Sequence, residues 1–294
     1  MAIGILFVVL TAIVWVVLGA VVSHVAQKNL SLGFIQGAAA IVMVLLSVPF
    51  VLIHGESVPL VVLIPTFLSG VGNYVAFLVM NKAMQKGPNG LIWAIIQSAF
   101  AFPFLMGILF FQVPCSIVRG VGLVMLLAAM ILMGLLGKGN EMNGKRNYIW
   151  VFYAVLGFLC AGATQCCANI PSYLIQEESD GVWTILSRIG ISASGTVAVI
   201  VLHGLFDRKV FNGKGCKIGT IVMTAASILS LLFTFLALDC FAAVNAGAIA
   251  YPMIVGISIA VFMVYTAIKL KERLSLPVLL SVLLCLSGIV VITL

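Results

Sequence analysis

The sequence predicts an all-α membrane protein of ten transmembrane helices, arranged as two inverted five-helix repeats. Three observations predict it. Across 294 residues the chain is 63% hydrophobic and only 8% charged, where a soluble domain carries roughly 25% charged residues. A water-soluble fold has no way to hide that much apolar surface. The apolar residues fall into runs of about 20, the length at which a helix crosses the hydrocarbon of a bilayer. Thirteen of the fifteen Lys and Arg residues stand in every second connection between those runs.

In order along the chain, the first run, 2–22, has no basic leader and is too long for the apolar core of a signal peptide, so it reads as a retained helix. The second is 32–53. The third, 59–84, ends at Lys86-Gly87-Pro88-Asn89-Gly90, whose Gly and Asn suit a tight reversal into the fourth, 90–111. The fifth, 116–137, carries Gly120 and Gly122, and the sixth and seventh are 148–173 and 181–205. The break between the eighth, 218–238, and the ninth, 243–268, is marked only by Asp239 to Asn245; if it were missed, the charge alternation would fail. The tenth is 276–294. The longest connections, Lys138 to Asn147 and Phe206 to Lys217, are short and rich in Gly, Asn and Lys, so no soluble domain is expected.

Lys28, then Lys82 and Lys86, then Lys138, Lys145 and Arg146, then Arg208, Lys209, Lys214 and Lys217, then Lys269, Lys271 and Arg273 occupy the odd-numbered connections. By the positive-inside rule these are cytoplasmic, which places both termini on the non-cytoplasmic side of the cell membrane. Glu177, Glu178 and Asp180 fall on the other side. The net charge of +7 is spread over five short loops without a basic face, which argues against nucleic acid and for anionic headgroups. The partners expected are the lipid bilayer and a small-molecule solute. No cofactor is expected, since no metal spacing or CxxC pair occurs, and the odd number of cysteines, 7, gives no disulfide framework. One small-xxx-small spacing, Gly33 and Gly37, is too little to argue a homodimer.

The midpoint of the chain falls in the basic connection, giving a first repeat 1–137, a linker 138–147 and a second repeat 148–294. Both fourth helices open after a Gly/Asn turn and contain a proline, Pro103 and Pro252. Five is odd, so the second repeat must sit inverted, an arrangement that recurs in transporters with a midplane site between the halves.

The residues from Gly247 through Tyr251-Pro252, Lys269-Leu270-Lys271-Glu272-Arg273-Leu274-Ser275 and Leu286-Ser287-Gly288-Ile289-Val290 resemble the closing helices of the drug/metabolite transporter superfamily. Its pattern is a Gly/Ala-rich helix start, a proline, a short acidic turn and a late glycine. The first half repeats it with Gly90, Pro103, Phe111-Gln112-Val113-Pro114, Gly120 and Gly122; Gln112 standing near the expected Glu is a departure. Gly72-Asn73-Tyr74 through Met80-Asn81-Lys82-Ala83-Met84 is similar to the bacterial branch that takes up rhamnose and glucose. The resemblance implies ten helices, a central cavity walled by the first four helices of each half, and alternating-access transport of a small polar metabolite, a sugar or an organic anion. A multidrug or amino-acid exporter of the same superfamily is the alternative, although cation exporters are expected to carry a buried carboxylate. An intramembrane enzyme would need a nucleophile elbow, a metal motif or paired carboxylates in the spans, and none occurs.

Polar groups within the hydrocarbon are costly and mark candidate sites. Arg188 lies roughly 10 Å into the seventh helix at 1.5 Å per residue. It either meets the solute through its planar fork or snorkels toward Glu177, Glu178 and Asp180. Gln165 and Asn169 share a face of the sixth helix, and their amides both donate and accept. Asn73 and Tyr74, with Asn81, mark the third helix. Trp93 and Gln97 pair on the fourth as an aromatic plane beside an amide, with an interfacial belt as the alternative for Trp93. Tyr251, before Pro252, is placed where freed backbone carbonyls line a cavity. Thr220, Thr224 and Ser227 read as bonded to their own backbone, Trp15 and Gly19 as packing residues, and Glu272 as a loop residue. No Asp or Glu sits at the centre of a run, and Asp239 and His24 stand at helix ends.

Overall fold

The computed structural model describes residues 2–54, 58–112, 116–136, 148–174, 181–244, 247–272 and 275–293. The linker 138–147, the acidic stretch 177–180, and Val113, Pro114, Asn245, Arg273 and Leu274 lie outside the described residues. Among those described, every regular element is a helix: α1 (Ala2–Lys28), α2 (Leu32–His54), α3 (Leu60–Met84), α4 (Asn89–Gln97), α5 (Ala101–Phe110), α6 (Ile117–Leu136), α7 (Ile149–Leu174), α8 (Gly181–Phe206), α9 (Lys217–Ala242), α10 (Gly247–Lys269) and α11 (Leu276–Thr293). A 3-10 turn, Ser98–Phe100, joins α4 to α5 into one apolar segment, Asn89–Phe110. The turn has a local cause: Pro103 has no N–H for the carbonyl of Ala99, so the ladder tightens there.

Eight segments are long and apolar enough to cross a membrane, and shorter apolar helices cover Ile117–Met133 and Leu276–Ile292. The chain is therefore a multi-pass, all-α membrane protein. Large apolar side chains such as Leu45, Ile131, Leu205 and Leu280 face outward, as they can only where lipid is the solvent. By contrast α4 is buried along its whole length and sits inside the bundle.

The helices pack in a set of recurring pairs: α3 against α7 and α8, α1 against α9 and α10, α2 against α8 and α9, α4 against α7 and α10, and α6 against α11. The α3–α8 crossing is the tightest. A methyl on Gly70 would coincide with the carbonyl oxygen of Ser192, and one on Gly195 with that of Phe67. Gly33 and Gly37 are used inside the molecule, facing Val210 and Ile200, which leaves no free small-xxx-small stripe at those positions.

Contacts between loops sort the molecule into two ends. The α1–α2 turn packs on the α8–α9 connection, where the Ser31 hydroxyl donates to the carbonyl of Val210 at 2.6 Å and Gly213 lies against Phe34. The α3–α4 turn lies against the start of α7 through Gly87 and Trp150, and meets Glu272 beyond α10. The described odd-numbered connections, which carry the basic residues, thus gather at one end. At the opposite end the start of α1 meets the end of α9, through Gly4 and Phe241, and Phe111 stacks on Tyr173 with ring centroids 4.1 Å apart.

Three boundaries differ from the sequence reading by about a turn or more; one is the ninth run, which opens at Gly247 rather than at 243, since Ala243 and Val244 form a turn. The first run continues to Lys28, because Ser23 is not a loop residue but is buried against Asn89. The eighth continues through Asp239 to Ala242, because that carboxylate is held by another helix.

Candidate functional site

A central cavity of about 160 Å³ lies between the two halves of the chain, room for on the order of ten water-sized groups. Helices α1 to α4 and α7 to α10 all contribute to its wall. On the first-half side the polar lining includes Gln36, Asn73 and Gln97, with Trp15 and Trp93; on the second-half side it includes Gln165, Ser227, Thr234 and Tyr251. No charged side chain is among its lining residues.

Several of these groups have hydrogen-bonding capacity left over. Gln36 Oε1, Gln165 Oε1, Trp93 Nε1 and Thr234 Oγ1 are buried without a protein partner, a condition that costs a few kcal/mol per group in a low-dielectric interior unless something occupies the site. Others are spent on the fold. The Trp15 indole N–H donates to the Ser230 hydroxyl at 2.9 Å, joining α1 to α9 across the wall. Thr196 donates to the carbonyl of Gly70 at 2.9 Å, and the hydroxyls of Ser69 and Ser192 are 3.3 Å apart.

Of the eight residues singled out from sequence, Asn73, Trp93, Gln97, Gln165 and Tyr251 line this cavity. Trp93 is buried against Phe262, with centroids 4.8 Å apart, so it is no interfacial belt residue. Tyr74 points elsewhere, its hydroxyl 2.7 Å from Nδ1 of His203 on α8. Asn169 is buried one turn beyond Gln165, outside the lining.

Arg188 fits neither of its two sequence readings. It is 1% exposed, which rules out snorkelling, and it is absent from the cavity lining. One terminal nitrogen stands 3.4 Å from Asp239 Oδ1 on α9. The other donates to the Ser172 hydroxyl at 2.8 Å and to the Ala168 carbonyl at 3.3 Å, both on α7. The guanidinium lies 4.0 Å over the ring of Phe235, a favourable cation–π geometry. Ala168 and Phe235 are themselves cavity wall, so the arginine occupies the layer directly behind it.

At the basic end a different contact joins the helices. Glu272 is no idle loop residue: its two oxygens accept from the backbone N–H groups of Asn89 at 2.7 Å and Gly90 at 3.1 Å. These are orphan donors of the first turn of α4, where a carboxylate also meets the positive end of the helix dipole. The Asn89 side chain donates to Ser23 on α1 at 2.6 Å.

Sequence reasoning passed over Gln36 and the cavity roles of Trp15, Ser227 and Thr234. An intramembrane glutamine is the same signal that singled out Gln165, and Gln36 could have been found by it. Thr220 and Thr224 do donate to the carbonyls of Cys216 and Thr220, whereas Ser227 faces the cavity.

Fold and site together define a multi-pass helical membrane protein built around an uncharged cavity of mixed apolar and polar lining. No protein-family model and no curated relative matches the chain. The fold is shared with a protein known from a crystal structure, which aligns over 99% of this chain and 96% of that chain with a TM-score of 0.61 at 14% identity. That likeness is one of fold, from end to end.

Proposed function

We propose that the protein is a secondary transporter of the drug/metabolite transporter type, moving a small, uncharged, hydroxyl-bearing solute across the cell membrane by alternating access between two inverted five-span repeats. The observation that carries this reading is the cavity between the halves, whose mainly apolar wall is interrupted by amides, hydroxyls and indoles and by no charge. Amides and hydroxyls both donate and accept, which matches a solute whose hydroxyls do the same.

The packing pairs support the repeat. Counting α4 with α5 as one span gives ten, and matching span one with six, two with seven and so on maps the α3–α7 pair onto α9–α1 and the α3–α8 pair onto α9–α2. The α2–α8, α4–α10 and α6–α11 pairs map onto themselves. Every one of these contacts occurs. At the α6–α11 crossing a Cβ on Gly122 would meet the carbonyl oxygen of Gly288 at 2.7 Å, and one on Gly288 that of Gly122 at 2.8 Å. Gln112 and Lys271, two residues past the ends of α5 and α10, share left-handed φ values of 53° and 54°. This register pairs Gln112 with Lys271 rather than with Glu272.

An organic anion is less favoured than a neutral solute, because Arg188 is engaged behind the wall. A cation exporter lacks its carboxylate in the lining. The basic connections support a cytoplasmic placement of their end. The test is counterflow into proteoliposomes with sugars, polyols, amino acids and organic anions. Neutral hydroxylated solutes should exchange, and Gln165→Leu or Gln36→Leu should cut uptake about tenfold, the worth of one buried hydrogen bond. Absence of flux for every class would sink the reading.

A further inference from the structure

We propose that Arg188 and Asp239 form the latch that closes the cavity at the end opposite the basic connections, by holding α7, α8 and α9 together over the site. The proposal rests on the alternating-access reading above.

The geometry carries it in three steps. Arg188, on α8, is bonded to α7 through Ala168 and Ser172 and to α9 through Asp239, with Phe235 of α9 under its guanidinium. Two of these partners, Ala168 and Phe235, are wall residues of the cavity, so the arginine ties together the three helices that carry the wall at that end. The contact is nevertheless built to break. The ion pair is a single contact, at 3.4 Å, the Asp239 side chain is 39% exposed, and Arg188 Nε has no partner. Water admitted at the mouth can therefore solvate both charges, whereas a dry rupture would strand a buried cation.

The first repeat has no equivalent. Arg188 stands seven residues after the start of α8, where α2 carries Ala39, and Asp239 three before the end of α9, where α3 carries Asn81. The charged latch thus belongs to one end only. It biases the resting protein toward closure there.

The test uses a single cysteine at Ala168, in protein whose 7 native cysteines are replaced by alanine, reconstituted in vesicles and exposed to a membrane-impermeant thiol reagent from each side in turn. Arg188→Gln and Asp239→Asn should each speed labelling from the side opposite the basic connections by at least about tenfold, because one charge is left without its partner. Labelling from the basic side should stay level or slow, and Asp239→Glu should fall between. Rates unchanged from the opposite side, or raised equally from both sides as general loosening would do, overturn the latch. If Arg188→Gln does not assemble, Asp239→Asn carries the same readout. One-sided labelling with no solute transported keeps the latch and removes the transporter reading. Transport with labelling unaltered from that side does the reverse.

Discussion

At the basic end, Glu272 binds two backbone N–H groups at 2.7 and 3.1 Å and draws the turn after α10 onto the start of α4. At the opposite end, Arg188 is sealed from solvent and meets Asp239 once, at 3.4 Å. The first contact is short and doubled, and it satisfies donors that any helix start must place somewhere. The second is long and single, and it holds a charge where charge is least welcome. Contact quality and contact consequence are therefore separate. Losing the cap exposes two N–H groups near a helix end, while losing the carboxylate strands a guanidinium inside the bundle. A closure meant to stay shut suits the former; one meant to respond to hydration suits the latter.

Substitutions distinguish the two ends when read as unfolding free energy in detergent micelles. The largest effect is expected between the two ends, at their common fulcrum: Gly70→Ala places a methyl on the carbonyl of Ser192 and should cost about 3 kcal/mol by overpacking, loosening both ends alike. An effect confined to one end would show that the α3–α8 crossing does not join them. Asp239→Asn should cost about 2 kcal/mol, below the figure for a wholly buried pair because its side chain is 39% exposed. A loss smaller than that of Glu272→Ala would reverse the ranking of the two ends. For Glu272→Ala we expect about 1 kcal/mol, the worth of a cap with its dipole contribution. Smallest is Ser230→Ala, which removes the acceptor of Trp15 and should cost about 0.6 kcal/mol, the usual scale for a hydrogen bond between helices in a membrane; a much larger value would mark that bond as a third tie beside the two ends.

Much of the fold could be read directly. Run 181–205 became α8, Gly181–Phe206, and run 116–137 became α6, Ile117–Leu136, because an apolar stretch bounded by polar turns has one favourable conformation in lipid. Two of the misjudged boundaries share a cause. The first run was ended before Ser23 and the eighth before Asp239, whereas Asn89 and Arg188 donate to these residues inside the bundle. The site followed the same pattern. Gln165 and Gln97 were visible as amides within apolar runs and do line the cavity. Tyr74 looked equivalent to its neighbour Asn73 but faces His203 instead. A helix rotates by 100° per residue, and in a membrane both lipid and protein neighbours are apolar, so the pattern carries little information about which face turns inward.

By itself, the sequence determined that this chain crosses a membrane several times, that its basic connections share an end, and that its costly polar groups lie in a handful of helices. Those are consequences of composition and order, because hydrocarbon excludes charge and unsatisfied backbone wherever it meets them. Only the tertiary structure decided which of those groups meet. Arg188 finds Asp239 and Glu272 finds Asn89 across stretches of chain that share no local pattern. Their meeting depends on how apolar helices interlock at glycine crossings such as Gly70 with Ser192, a matter of shape that the spacing of charges along the chain does not encode.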